Sequence, residues 1–338
     1  MTKTNFLDLT YPQLQTLLDS WGEPPFRAEQ VWGWVYKRLV DDYDGMRNVP
    51  KALRQRLADK LALHTLTPLS ELTSADRQTR KVLFRLGDGQ SIETVLMHYR
   101  RRHTVCISTQ VGCPIGCPFC ATGQSGFVRN LSPGEIIEQV LYFARELRAR
   151  GQRLTNVVIM GMGEPLLNYD ATWQAIETLT DGRGFNLGAR RITLSTAGVI
   201  PGIERLGREK LQVGLAISLH APTDELRSRL VPLNRRYPLR KLIPACHAYV
   251  KATGRRVTFE YALIHEVNDW KAQARQLATL LDGLLCHVNL IPLNPTAECA
   301  YKPSSPWRVR VFQEELNRLH VPNTLRLGRG VDIQAGCG

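Results

Sequence analysis

Apolar residues recur at helical intervals through the first 65 positions: Leu14, Leu17 and Leu18, then Val31, Trp34, Val35 and Leu39, then Leu53 and Leu57. Gly22-Glu23-Pro24-Pro25 and Asn48-Val49-Pro50 punctuate them, so residues 1–65 are predicted to form a small helical accessory domain. Arg27, Lys37, Arg38, Lys51, Arg54 and Arg56 fall on its polar faces. Over residues 66–100 the period drops to two. Lys81-Val-Leu-Phe-Arg-Leu86 and Ile92-Glu-Thr-Val-Leu-Met97, joined through Gly87-Asp88-Gly89, carry the signature of a β-hairpin.

From Thr104 onward strands alternate with helices. Strands are predicted at Thr104–Ser108, Asn156–Gly161, Arg191–Ser195, Gln212–Ser218, Arg256–Leu263 and His287–Leu293. The clearest helix starts at Ser132, an N-cap followed by Pro133 at the first helical position, with Glu135 closing a capping box. Six βα units in succession predict an α/β core with a parallel sheet over residues 101–338. Periodicity alone does not separate a flat doubly wound sheet from one curled into a partial barrel.

The chemistry concentrates in Gly-Cys-Pro-Ile-Gly-Cys-Pro-Phe-Cys, which places Cys113, Cys117 and Cys120 at C-x3-C-x2-C spacing. A structural zinc ion takes four ligands, and an iron–sulfur cubane normally takes four cysteines. Three thiolates on a cubane leave one iron open to a small molecule. The competing reading is zinc, with His103, Cys106 or a distant residue as fourth ligand. Polar residues also follow the predicted strands: Gly161-Met-Gly163-Glu164-Pro165, Ser195-Thr-Ala-Gly198, Ser218-Leu219-His220 and Asn294-Pro295. In a barrel these would meet in one mouth.

The chain has 338 residues, 43% of them apolar, enough for a full core. Its 44 Lys and Arg against 31 Asp and Glu give a net charge of +13, in short clusters such as Arg100-Arg101-Arg102, which favours a polyanionic partner. The first twenty residues lack an apolar leader core, and no stretch reaches the ~18 apolar residues of a membrane span. A cytoplasmic, monomeric protein with reduced cysteines and no membrane association is expected. Cys246, Cys286 and Cys299 read as packing residues.

The cysteine spacing resembles that of the radical S-adenosylmethionine (radical-SAM) enzymes. In that superfamily the aromatic before the last cysteine, here Phe119, packs near the cofactor's adenine. A glycine-rich segment like Gly161-Met-Gly-Glu164 binds its amino group. The resemblance implies one [4Fe-4S] cluster on Cys113, Cys117 and Cys120. It also implies S-adenosylmethionine contacts at Phe119, Gly163, Glu164, Ser195, Ser218, Leu219, His220 and Asn294, and it tips the fold toward a partial (β/α)6 TIM-like barrel. Cys106-Ile-Ser-Thr-Gln-Val-Gly-Cys113, Gly126-Phe-Val-Arg-Asn-Leu131, Gly161-Met-Gly-Glu-Pro-Leu-Leu-Asn168, Ser218-Leu-His-Ala-Pro222 and Asp332-Ile-Gln-Ala-Gly-Cys-Gly338 are similar to segments of the RlmN/Cfr family of RNA methyltransferases.

Membership would imply methylation of adenosine C2 in the peptidyl-transferase loop of 23S rRNA, and of the anticodon-adjacent adenosine in some tRNAs. Two S-adenosylmethionine molecules are used per turnover, with flavodoxin or ferredoxin as electron donor. By the same resemblance Cys337 carries the methyl group, Glu93 takes the C2 proton, and Cys106 resolves the adduct through a transient disulfide. Pro165 leans toward the RlmN type, because the Cfr type, which methylates C8, tends to carry alanine there. Cys337 lies one residue before the end of the sequence, where relatives usually run on. From a different class, a non-catalytic RNA-binding protein with a structural metal would leave Glu164, Cys106 and Cys337 unexplained.

Overall fold

The computed structural model describes residues 3–294, 300–326 and 328–336. Its frame is one ten-stranded sheet. Six parallel strands follow one another in chain order: Arg102–Cys106, Asn156–Ile159, Ile192–Thr196, Gly214–Ser218, Val257–Leu263 and Cys286–Pro292. A doubly wound sheet reverses its strand order at a switch point, whereas this order never reverses. The crossover helices therefore all cover one face, and the sheet must curl to bury the other, as in a (β/α) barrel. The six expected strands are all present, with ends shifted by a few residues. Asn323–Leu325 adds a seventh parallel strand at the edge. Among the described residues no helix is long and apolar enough to cross a membrane.

At the other end of the sheet the hairpin strands Thr79–Arg85 and Ser91–Tyr99 pair antiparallel, and the second pairs with the first barrel strand. The hairpin thus continues the barrel wall. A third antiparallel strand, Thr67–Thr73, pairs outside it. That strand escapes sequence reasoning because all seven residues are exposed, so no alternation marks it.

The first residues are helical apart from a short parallel pair, Thr4–Asn5 with Leu61–Ala62. Helices Tyr11–Asp19, Phe26–Trp32 and Lys51–Lys60 bury Leu14, Leu18, Val31, Leu53 and Leu57, and Trp32 packs on Tyr36 with ring centroids 4.3 Å apart. This unit docks on the long helix Pro133–Ala149, which has the expected capping box: Ser132 Oγ accepts from Glu135 N, and Glu135 accepts from Ser132 N. Asp8 Oδ1 accepts from Gly134 N at 2.7 Å. A Cβ at Gly134 would sit 2.3 Å from Asn5 Nδ2 and 2.8 Å from Asp8 Oδ1, so both side chains would have to shift to admit one. One turn on, buried Glu138 accepts from the backbone of Thr65 and Leu66, and His64 Nδ1 lies 3.3 Å from it.

After the last strand the chain turns back across the molecule. Asp332 Oδ2 accepts from Ala75 N at 2.8 Å. Arg329 donates to Gln78 Oε1 and the His98 carbonyl and lies over the Tyr99 ring. The segment after one edge strand is thereby fastened beside the opposite edge.

Candidate active site

The loop carrying Cys113, Cys117 and Cys120 leaves the first barrel strand through a narrow stem, Gln110–Gly112 paired antiparallel with Phe127–Asn130. Gly112 has φ +71°, and a Cβ there would lie 1.8 Å from the Gly126 carbonyl oxygen, so the stem closes only on glycine. Cys113 N donates to that carbonyl at 2.7 Å. The three thiols pack together with Ile115, Phe119, Ala221 and Leu230. Burial raises the Cys113 thiol to about 12, with Glu164 and Cys120 adding to it. Cys117 rises further, from burial and then from its two neighbouring thiols.

A bound cation would stabilise Cys113 and Cys117 as thiolates against the burial that raises them. Among the described residues no three His, Cys, Asp or Glu side chains gather closely enough for a single metal ion. Ligands to separate irons of a cluster need no such convergence. His103, a possible fourth zinc ligand, is engaged elsewhere, its Nδ1 2.8 Å from His98 Nδ1. The residues fit a cluster held by three cysteines.

The thiols open onto a cavity of about 590 Å³ at the C-terminal ends of the strands. Gly163 (φ +104°) packs so closely on Gln110 that a Cβ there would lie 2.6 Å from Gln110 Cβ. Glu164 is buried; its carboxylate accepts from Ala197 N at 2.7 Å and Leu166 N at 3.1 Å. Burial nonetheless lifts this carboxyl to about 7, outweighing those donors and Thr196. Ser195 and Ser218 face each other from adjacent strands, Oγ to Oγ 3.4 Å.

His220, at φ +59°, has Nδ1 accepting from Ala262 N at 3.0 Å, which places its proton on Nε2. Burial, then Arg227, depresses its pKa to about 3, so the ring is neutral. Phe119 packs edge-on against it, centroids 5.0 Å apart. Asn294 lines the cavity opposite, where a Cβ on Gly336 would approach its Nδ2 to 2.9 Å. Leu219 does not line the cavity: its side chain is in the core and its N–H donates to the Glu260 carbonyl.

Glu93 and Cys106 reach the same cavity from the antiparallel side. Lys81, Val95 and Cys106 form one cross-strand row, and Glu93 stands two residues along from Val95 on the same face. Ser108 Oγ donates to the Glu93 carbonyl at 2.7 Å and accepts from Met162 N at 2.9 Å, joining that strand to the glycine-rich loop. Gln334, Ala335 and Gly336 complete the wall. Cys337, Pro295 and Cys299 lie outside the described residues. Cys246 and Cys286 are buried packing residues as expected, with Cys246 pushed by burial to about 12.

Three residues of the site were missed. Glu260 lines the cavity from the fifth barrel strand, and its Oε1 accepts from Asn289 Nδ2 at 2.8 Å. Its parity with Thr258 and Ala262 in Val257–Leu263 was a usable signal. Arg227, fully buried, donates to the carbonyls of Ala197, Ser218 and Leu219 and to Asn234 Oδ1. It ties the loops after the third and fourth strands together, and nothing in its sequence context announced this. Lys81 is the third.

A singly wound parallel barrel with three cysteines in the loop after its first strand, beside a cavity of this make-up, defines a radical SAM enzyme. Residues 107–278 match the Radical SAM superfamily, and residues 4–63 match the ribosomal RNA large subunit methyltransferase N-terminal domain. The dual-specificity RNA methyltransferase RlmN 1 of Myxococcus xanthus is 49% identical over all of this chain and 94% of its own length. A probable dual-specificity RNA methyltransferase RlmN of Chloroflexus aurantiacus is 50% identical, over 98% of this chain and 91% of its own. The crystal structure of a radical SAM methyltransferase from Sphaerobacter thermophilus superposes with a TM-score of 0.97 at 54% identity, covering 99% of this chain and 98% of that one. The chain belongs to the RlmN family of radical-SAM dual-specificity RNA methyltransferases.

Proposed function

We propose that this enzyme methylates C2 of an adenosine in the peptidyl-transferase centre of 23S rRNA and of the anticodon-adjacent adenosine of some tRNAs, consuming two S-adenosylmethionine molecules per turnover. When bound, the cluster and S-adenosylmethionine supply a methyl group and a radical able to take hydrogen from a carbon. Cys113, Cys117 and Cys120 would hold the cluster. Glu164 would accept from the cofactor's ammonium, Ser195, Ser218, His220 and Asn294 would contact its polar groups, and Phe119 would pack near its adenine.

Cys337 carries the methyl carbon to the base. Adenine C2 is too electron-poor to be methylated by polar displacement, so the carbon would be added as a radical; once it is bonded to C2 and the adduct has given up one electron, Glu93 takes the C2 proton. Cys106 thiolate then attacks the Cys337 sulfur; the sulfur–carbon bond breaks with its electron pair staying on the base-bound CH2, which takes up a proton to become the methyl group, and a disulfide joins the two cysteines. The observation that best supports this reading is the convergence of Glu93, Cys106, the three-cysteine loop and residues 334–336 on one cavity.

Residues 1–65 are proposed to grip RNA, 66–100 to extend the wall and 101–338 to house the chemistry. The enzyme is proposed to act as a cytoplasmic monomer reduced by a flavodoxin or ferredoxin. The target base must leave its stack to enter the cavity.

The test is an anaerobic assay of the cluster-loaded protein with reductant, S-adenosylmethionine and unmodified 23S rRNA fragment or tRNA. Wild-type protein is expected to give 2-methyladenosine by mass spectrometry and NMR, and Cys106→Ala a covalent protein–RNA adduct. Methyl at C8 without methyl at C2 would overturn the C2 assignment. Full turnover by Cys106→Ala would overturn the resolving role.

A further inference from the structure

Lys81 has no role in the reading above, yet it stands where the antiparallel wall meets the C-terminal segment. Its Nζ is 2.9 Å from Glu93 Oε1 and donates to the Gln334 carbonyl oxygen at 3.3 Å. The side chain is only 11% exposed and lines the cavity. Both partners come from other elements: Glu93 from the neighbouring strand, two positions off Lys81's cross-strand partner Val95, and Gln334 from 253 residues away in sequence. An ammonium with this little solvent is held by its acceptors, and each acceptor is placed by it in turn.

We propose that Lys81 is a positioning residue. One ammonium fixes both the Glu93 carboxylate and the backbone three residues before Cys337, so that proton removal and methyl delivery are aimed at the same base carbon. This rests on the roles proposed above for Glu93 and Cys337. A lysine merely filling space would need neither acceptor, and methionine would serve as well.

The experiment compares Lys81→Met, Lys81→Arg and Glu93→Gln in the full, cluster-loaded chain. The readouts are hydrogen exchange at the amides of residues 332–336, methyl incorporation into the C-terminal peptide, and kcat and KM for RNA methylation. Lys81→Met is expected to speed exchange at 332–336 about tenfold and lower kcat by about tenfold or more, with KM for RNA changing by less than about threefold. Lys81→Arg, keeping a cation of similar reach, is expected to recover most of both. Cluster absorbance and melting temperature separate a folding defect from a positioning one.

Wild-type exchange and wild-type kcat in Lys81→Met overturn the proposal. So does an arginine variant that folds, loads its cluster and remains as slow as methionine. Full kcat in Glu93→Gln would remove Glu93 as the base, while the exchange at 332–336 in Lys81→Met still decides whether Lys81 holds the segment.

Discussion

The two walls of the cavity are built on different principles. On the side of the third, fourth and fifth barrel strands, buried polar groups hold backbone. Arg227 spans three carbonyls and Asn234, Glu164 receives the Ala197 and Leu166 amides, and His220 takes the Ala262 amide. On the antiparallel side, Lys81–Glu93 joins the two hairpin strands, and Asp332–Ala75 and Arg329–Gln78 join partly exposed groups from segments far apart in sequence. The first wall is held by buried bonds to backbone, whereas the second depends on a few contacts that reach the surface. The two halves of the cavity are thus physically separate.

The largest effect is expected from the rigid side. Cys117→Ala should abolish iron loading and all methylation, read as loss of the protein's brown colour and of 2-methyladenosine; retained iron–sulfur absorbance would remove Cys117 from the ligand set. Arg227→Met leaves several buried acceptors unsatisfied and should cost about 3 kcal/mol or more of stability, measured by denaturant midpoint. S-adenosylmethionine affinity should fall with it, because the loops after two strands lose their common tie. Equal losses from Arg329→Met would break the contrast between the walls.

Glu164 gives a pH signature. Its folded-state carboxyl is raised from 4.5 to about 7, so the stability associated with the protonated form is complete below 4.5 and is lost as pH rises through about 7. A cofactor ammonium favours the ionised form. Binding should therefore release a proton below pH 7 and tighten with pH by up to about tenfold per unit there. Calorimetry in buffers of different ionisation enthalpy checks this. Glu164→Gln should abolish the proton release, and a pH-independent wild type would remove the pairing.

The smallest effect is expected at the junction of the helical unit with the barrel. Glu138 raises the half-exposed His64, against an opposing contribution from burial. That stability is full below 6.5 and is lost as pH rises through the folded-state value. Melting temperature should drop slightly across that interval, and His64→Ala should flatten the change.

Much of this was written in the sequence because the signals are local. Ser132-Pro133-Gly134-Glu135 fixes a helix start by itself, and the cysteine spacing fixes a loop. The six barrel strands show in their apolar runs. What was not legible depends on register and distance. Lys81 and Glu93 share a face only once Lys81 is known to pair with Val95. The role of Arg227 exists only because two loops distant in sequence present carbonyls to it, and the positive φ of His220, like the hydrogen bond from the next strand to its ring, has no local mark in the sequence. Thr67–Thr73 is a strand by pairing, without a buried face to advertise it.

The sheet has two ends, Thr67–Thr73 and Asn323–Leu325, that do not pair with each other. Residues 328–336 bridge that gap through Ala75, Gln78, Lys81 and His98. The ring is thus completed by a clasp rather than by a ladder of backbone hydrogen bonds. Each of these contacts uses at least one side chain, so this junction, unlike the rest of the wall, carries no strand register.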